Sequence, residues 1–149
     1  MASDFADDKP DLWWLTLEDV VRSPPHLTLG MKGEGRYFSL RTLEEKEAAY
    51  HEIYWWLRSI PEDVARAFVA ELAAAQNCES AHADLLLSWD ELRDLAQDPL
   101  MTIGAHTTTH RALGKLPERV ARAETADSVA RARRAGAALP PPELPVRLR

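Results

Sequence analysis

Residues Leu100-Met101-Thr102-Ile103-Gly104 read as one short buried strand in a chain otherwise patterned for helices. This segment constrains the fold most, because a lone buried strand leaves its backbone donors and acceptors orphaned, and such groups have to be paired. Either a hairpin elsewhere in the chain pairs with it, or its partners are missing.

Hydrophobic spacing and turn residues give the rest of the organisation. Asp11 to Arg22 places Leu12, Leu15, Val20 and the pair Trp13-Trp14 on a short amphipathic helix. Ser23-Pro24-Pro25 ends it, since a residue before proline is pushed out of the α region. Leu27-Thr28-Leu29 and Arg36-Tyr37-Phe38-Ser39-Leu40 flank Gly30, Gly33 and Gly35, which predicts a hairpin. Thr42-Leu43-Glu44-Glu45 is a capping-box signature opening a helix to about Ser59, with Ala49, Ile53, Trp56, Leu57 and Ile60 on one stripe. A second helix starts at Pro61, carries Val64, Ala67, Phe68, Glu71, Leu72 and Ala75, and fades at Gln76-Asn77. Ser88-Trp89-Asp90-Glu91 is another capping box, and Asp98-Pro99 stops the helix it opens. A last helix begins near Pro117 and includes Val120, Ala123 and Val129. Residues 131–149 are expected to form a disordered tail, rich in Ala, Arg and Pro without sustained periodicity.

Composition narrows the function classes. The chain has 149 residues, 46% hydrophobic and 28% charged, enough for one globular domain. A net charge of −6 excludes a nucleic-acid binder built on a basic face. The balance is uneven: 9 basic and 20 acidic residues up to His110 give −11, and 9 basic and 4 acidic residues from Arg111 onward give +5. The lone Cys78 cannot form an intrachain disulfide and is expected to be a packed thiol. The N-terminal residues Met1 to Asp8 have no basic region followed by an apolar one, and no apolar run approaches the roughly 20 residues that span a membrane. A cytoplasmic chain without a membrane partner is expected.

The residues with most chemical promise are Gly104-Ala105-His106-Thr107-Thr108-Thr109-His110, at the C-terminal end of the expected strand. Two histidines four apart fall on one side of a helical turn, so their imidazoles can converge on one ion, and imidazole suits zinc. Strand-to-helix junctions are where α/β folds place ligands, and the threonines between can bond local backbone and fix the turn. The spacing alone is a weak signal.

The surrounding residues add to it. Leu87-Ser88-Trp89-Asp90-Glu91-Leu92-Arg93-Asp94-Leu95-Ala96, followed by Asp98-Pro99-Leu100-Met101-Thr102-Ile103-Gly104-Ala105-His106-Thr107-Thr108-Thr109-His110, resembles the second motif region of the polysaccharide deacetylases. These are metal-dependent enzymes of carbohydrate esterase family four, among them chitooligosaccharide and peptidoglycan deacetylases. Leu113-Gly114-Lys115-Leu116 and Ala121-Arg122-Ala123-Glu124 resemble the helix that follows. Leu12-Trp13-Trp14-Leu15 and Ala49-Tyr50-His51-Glu52-Ile53-Tyr54-Trp55 resemble a helical insertion of one bacterial subgroup. The resemblance implies a partial deacetylase domain over 1–130, with the insertion at about 11–76 and the metal-motif region at 87–116. It implies an α/β class, as a piece of a distorted (β/α) barrel, although the chain itself reads as mainly α-helical with few short strands.

The resemblance also implies chemistry. His106 and His110 would supply two of three ligands to zinc or a similar divalent metal. The ion would polarise an N-acetyl carbonyl of an oligo- or polysaccharide and lower the pKa of its bound water towards about 7. A carboxylate would take the water's proton. The family draws its third ligand and its base from a Thr-Phe-Asp-Asp strand end, which this sequence lacks. Phe5-Ala6-Asp7-Asp8 is the nearest candidate, but it lies directly before Trp13-Trp14, where the subgroup has a loop, so Asp7 and Asp8 are read as a solvated terminal loop. The family's aromatic-Pro strand is likewise replaced by an Ala/Arg/Pro string of the kind a shifted reading frame produces in GC-rich DNA. No catalytic residue can be named, and a fragment with little or no turnover is expected.

Other conspicuous residues have plainer readings. Trp13, Trp14, Trp55 and Trp56 could form a sugar-stacking platform, but packing between the helices is expected. His26, His51 and His82 lack a partner at ligand spacing. Arg131, Arg133 and Arg134 read as a solvated run. The competing function is a non-catalytic helical protein-interaction module, in which the histidine pair is incidental.

Overall fold

A computed structural model describes residues 1–7, 11–78, 82–134 and 136 of the chain. It divides into two compact units, Leu12–Ala81 and a second made of Met1–Asp11 with His82–Arg149. The described residues are mainly helical, with one two-stranded sheet. Among them no helix is long and apolar enough to cross a membrane.

In the unit Leu12–Ala81, helix α1 (Trp13–Arg22) leads into strands β1 (His26–Met31) and β2 (Glu34–Ser39), then helices α2 (Leu43–Ser59) and α3 (Glu62–Ala75). The strands pair antiparallel in register from His26↔Ser39 to Met31↔Glu34. Their two-residue turn is Lys32-Gly33, with φ of 54° and 85°. Positive φ at both positions fits a type I′ turn, whose twist matches that of the strands. Of the three glycines expected to shape the turn, Gly33 does so; Gly30 and Gly35 face each other inside the ladder.

An isolated two-stranded hairpin is marginal in water, so its apolar face needs a cover. Leu27, Leu29, Met31 and Phe38 supply that face and join one core with Leu17, Val20, Ile53, Leu57 and Val69. Each such side chain contributes roughly 1.5–3 kcal/mol on burial. The expected stripe of α2 is present, with Ala49, Ile53 and Leu57 buried and Trp56 and Ile60 packed against the core. The stripe of α3 is turned relative to expectation: Ala65, Val69, Leu72 and Ala73 are buried, whereas Val64 is 54% exposed. Phe68 and Leu72 pack as expected, and Ala65, Val69 and Ala73 complete the buried face.

Local signals close the helix ends. Thr42 Oγ1 accepts from Glu45 N at 3.2 Å, and the Glu45 carboxylate accepts from Arg41 N at 2.8 Å and Thr42 N at 3.1 Å. The Arg41 amide, the Ser39 hydroxyl and the Thr42 amide hold that carboxyl below its ordinary range. Its contribution is therefore complete above the ordinary carboxylate range and is lost as pH falls through the lowered value. At the end of α3, Asn77 takes φ 49° while Cys78 N donates to Ala73 O at 2.9 Å and Asn77 N to Ala74 O at 3.1 Å. This is a Schellman cap with asparagine in the left-handed position. Cys78 packs against the core, and burial pushes its thiol up.

The second unit contains 3-10 turns at Ser3–Asp7, Ala83–Leu85 and Leu113–Lys115, with helices α4 (Trp89–Leu95) and α5 (Glu118–Arg134). The Ser88 capping box is formed, its two halves joining Ser88 and Glu91. Helix α5 runs through Arg134, so residues 131–134, expected in the tail, are helical; residues 137–149 lie outside the described residues. Its buried face is Ala121, Ser128 and Ala132 rather than Val120, Ala123 and Val129, and it packs on the Ser3–Asp7 turn.

The expected buried strand Leu100–Gly104 does not form. Leu100 is 90% exposed, Met101 is 44% exposed, and residues 101–107 have no regular structure. Apolar composition does not make a strand unless a second backbone lies alongside, and one does so only from Gly104 onward.

Ser3 and Ser128 are buried with side-chain hydroxyls that have no hydrogen-bond partner among the described residues. A desolvated, unpaired hydroxyl costs stability, and serine in a helix interior is a poorer helix former than alanine. Ser128→Ala should therefore stabilise the chain by about 1 kcal/mol in urea unfolding. A loss of stability would show that the hydroxyl has a partner.

Candidate functional site

The histidine pair sits on a loop assembled from two neighbours in its own unit. The first is the N-terminal segment. His106 N donates to Met1 O at 2.8 Å, Ser3 N to Thr107 O at 3.1 Å and Asp4 N to Thr108 O at 2.9 Å; the Met1 ammonium donates to Gly104 O. Both segments advance in the same direction, so Met1–Asp4 lies parallel to residues 104–108. The pairing starts at Gly104, so of the expected strand Leu100–Gly104 only the last residue gains a backbone partner here.

The second neighbour is α5. Glu124 Oε2 accepts from Thr108 N and Thr109 N, each at 2.9 Å, and Oε1 accepts from Thr109 Oγ1 at 2.7 Å. Thr108 Oγ1 donates to Glu124 O at 3.1 Å. One glutamate thus fixes both residues between the threonine and histidine that turn the chain. Thr107 and His110 have φ of 63° and 59°, the left-handed region, and Thr107 Oγ1 accepts from His110 N at 3.0 Å. A non-glycine residue there costs about 1–3 kcal/mol, which charge-assisted bonds of this kind can offset.

The four-residue spacing does bring the rings together, although not on a helical turn as expected. The ring centroids of His106 and His110 are 5.1 Å apart, with planes at 46°. His106 is exposed and His110 half-buried, with the Phe5 ring 5.6 Å from His110. Two imidazoles bound tetrahedrally to one zinc through Zn–N bonds of about 2.0–2.1 Å have centroids about 5 Å apart, so the donor pair fits such an ion. The set is incomplete: among the described residues no group of three His, Cys, Asp or Glu could hold a metal.

The acidic residues near the N-terminus are engaged differently. Asp7 accepts from Trp89 Nε1 at 2.6 Å and from Arg131 Nη1 at 2.8 Å, and Asp4 accepts from the same Arg131 atom at 2.6 Å. Asp7 is exposed, as expected, but its carboxylate also ties the Ser3–Asp7 turn to α4 and α5. Asp8 lies outside the described residues. Arg131, expected in a solvated run, is a half-buried anchor. It lines a hollow of about 240 Å³ with Asp7, Trp89, Arg93 and Arg134.

Sequence reasoning gave Glu124 no role. The available signal was a carboxylate on the stripe of positions 121, 124, 128 and 132, where a buried helix face should be apolar or small. Of the other histidines, His26 stacks on Tyr37 with centroids 5.8 Å apart, and His51 lines a groove in the other unit. Trp13 is buried, Trp14 and Trp56 pack against the core, and Trp55 is 63% exposed, so core packing describes three of the four.

Comparison with models of known protein families, with curated proteins and with solved structures finds no match.

Glu124→Ala removes the acceptor for two amides and a hydroxyl and should destabilise the chain by about 2–3 kcal/mol in urea unfolding. Amide exchange at Thr108 and Thr109 should accelerate well beyond the change in global stability. Unaltered exchange at both amides would show that the loop holds itself.

Proposed function

We propose that this chain is deacetylase-like and carries the two-histidine half of a divalent metal site, used in the family it resembles to hydrolyse N-acetyl groups of amino-sugar polymers. The observation that carries this reading is the 5.1 Å separation of the His106 and His110 rings on a loop pinned by Glu124. The parallel run of Met1–Asp4 beside residues 104–108 supports the α/β barrel part of the reading, since ligands in such folds gather at the carboxyl ends of parallel strands.

Each residue has a defined task. His106 and His110 would hold the metal through ring nitrogens, and Phe5 packs against the His110 ring. Glu124 fixes the loop from behind, as outer-shell groups do for metal ligands. The bound ion would supply Lewis acidity toward an acetyl carbonyl and a water acidic enough to lose its proton near neutral pH. The carboxylates of Asp4 and Asp7 are engaged by Arg131 and Trp89. With two histidines and no third ligand grouped with them among the described residues, the chain by itself is expected to bind metal modestly and release little acetate from an acetylated chitooligosaccharide.

Calorimetric titration of the full chain with zinc tests the proposal. One ion per chain is expected, with saturable binding lost in both His106→Ala and His110→Ala. Weak binding unchanged by either substitution would overturn the proposal and favour a non-catalytic helical interaction module.

A further inference from the structure

The unit Leu12–Ala81 has a groove of about 840 Å³ between β2 and α2, within the size range of small-molecule sites. Its helix wall is Ala48, His51, Glu52, Trp55, Trp56 and Ser59, with Ala48, Glu52, Trp55 and Ser59 spaced four, three and four residues apart along one face of α2. Two features depart from what packing alone would select. Trp55 leaves a large aromatic surface 63% exposed on a helix whose other face forms the core. Arg36 lies across from Leu29, on the face that carries Leu27, Leu29, Met31 and Phe38 and, at its turn end, Glu34 across from Met31.

Arg36 is well fixed in that position. Its guanidinium makes a two-point contact with Glu52, Nε to Oε1 at 2.5 Å and Nη2 to Oε2 at 2.8 Å, and lies 5.6 Å from the Phe38 ring centroid. The pair is about half exposed, so it adds little to stability. It does present an oriented set of N–H donors and carboxylate acceptors to the groove beside an aromatic face. The charges lining the groove balance, Lys32 and Arg36 against Glu34 and Glu52.

We propose that this groove binds a neutral oligosaccharide, with one sugar ring stacked on Trp55 and its hydroxyl or acetamido groups bonded to the Arg36–Glu52 pair. A pyranose has just this division of surface. Its axial C–H groups make an apolar face for an indole, and its equatorial groups both donate and accept, as a bidentate ion pair does. A balanced lining gives no preference for a polycation or polyanion, and an apolar peptide would leave the desolvated ion pair unmatched. The inference draws on the proposed function only for the choice of an N-acetylated sugar as probe; the groove's chemistry stands apart from the histidine pair.

The test is calorimetric titration of the full chain with a tetramer of N-acetylglucosamine, and with tetragalacturonate as the charged counterpart. Saturable binding of the neutral tetramer is expected, weakened at least roughly tenfold by Trp55→Ala and partly restored by Trp55→Tyr. Because Trp55 is exposed, the helical circular dichroism of these variants should match that of the parent. His106→Ala/His110→Ala should bind the tetramer as the parent does, so loss of metal binding with retained sugar binding sinks the proposed function and spares this one. The inference is overturned by absence of saturable binding, by equal affinity in Trp55→Ala, or by preference for tetragalacturonate. Self-association of the parent, abolished by Trp55→Ala in sedimentation without sugar binding, would assign the face to a second copy of the chain.

Discussion

The backbone of residues 104–108 must find hydrogen-bond partners outside its own segment, and the architecture around the histidine pair follows from how it does so. Met1, Ser3 and Asp4 satisfy one side of it. For those residues to stay in place the Ser3–Asp7 turn has to be anchored, and Arg131 does this through Asp4 and Asp7 while Trp89 adds a second bond to Asp7. The basic residues after His110 thus include at least one with a structural task, which net charge alone could not separate from solvated neighbours. Arg131 is the residue common to both carboxylates, so it joins the turn to α5 at two points.

What was legible in the residues was whatever depends on neighbours close along the chain. The capping boxes at Thr42 and Ser88, the proline stops, the hairpin and the stripe of α2 all arise from interactions over a few residues, so their spacing announces them. What was misread depends on distant partners. Leu100 and Met101 look like a strand by composition, yet pairing begins only at Gly104, where the N-terminal segment lies. The buried face of α3 takes in Ala65, Val69 and Ala73, which depends on the neighbours it packs against as much as on α3. The candidate site divides the same way. Spacing found His106 and His110, while Glu124, fourteen residues beyond His110, was visible only as a charge on a stripe of small residues.

The aromatic residues show how far a rule of averages reaches. Adjacent tryptophans on a helix cannot both face the core, and the pair at Trp55 and Trp56 obeys this: Trp56 makes an edge contact with Phe68 at 5.0 Å, and Trp55 turns outward. In the other pair, Trp13 is buried and stacks on Tyr54 at 5.4 Å, while Trp14 meets its edge. Trp14 therefore finds cover within the unit, whereas Trp55 finds an open groove and an ion pair. Of the four, Trp55 is the one that stays largely exposed, with an edge contact to Tyr54 at 5.3 Å.

Thr107 and His110 carry the sharpest argument about selection at the loop. Both lie in the left-handed region, where glycine would avoid the strain and where threonine, being β-branched, is especially disfavoured. If the loop only connected the paired segment to α5, glycines would suffice at both positions. Thr107 instead contributes the hydroxyl that accepts from His110 N, and His110 contributes a ring set 5.1 Å from that of His106. The strain is sustained because Glu124 gives the residues between them several charge-assisted bonds that a glycine loop would also have accepted. The bonds explain how the strained loop persists; the side chains at its two ends explain what the strain positions.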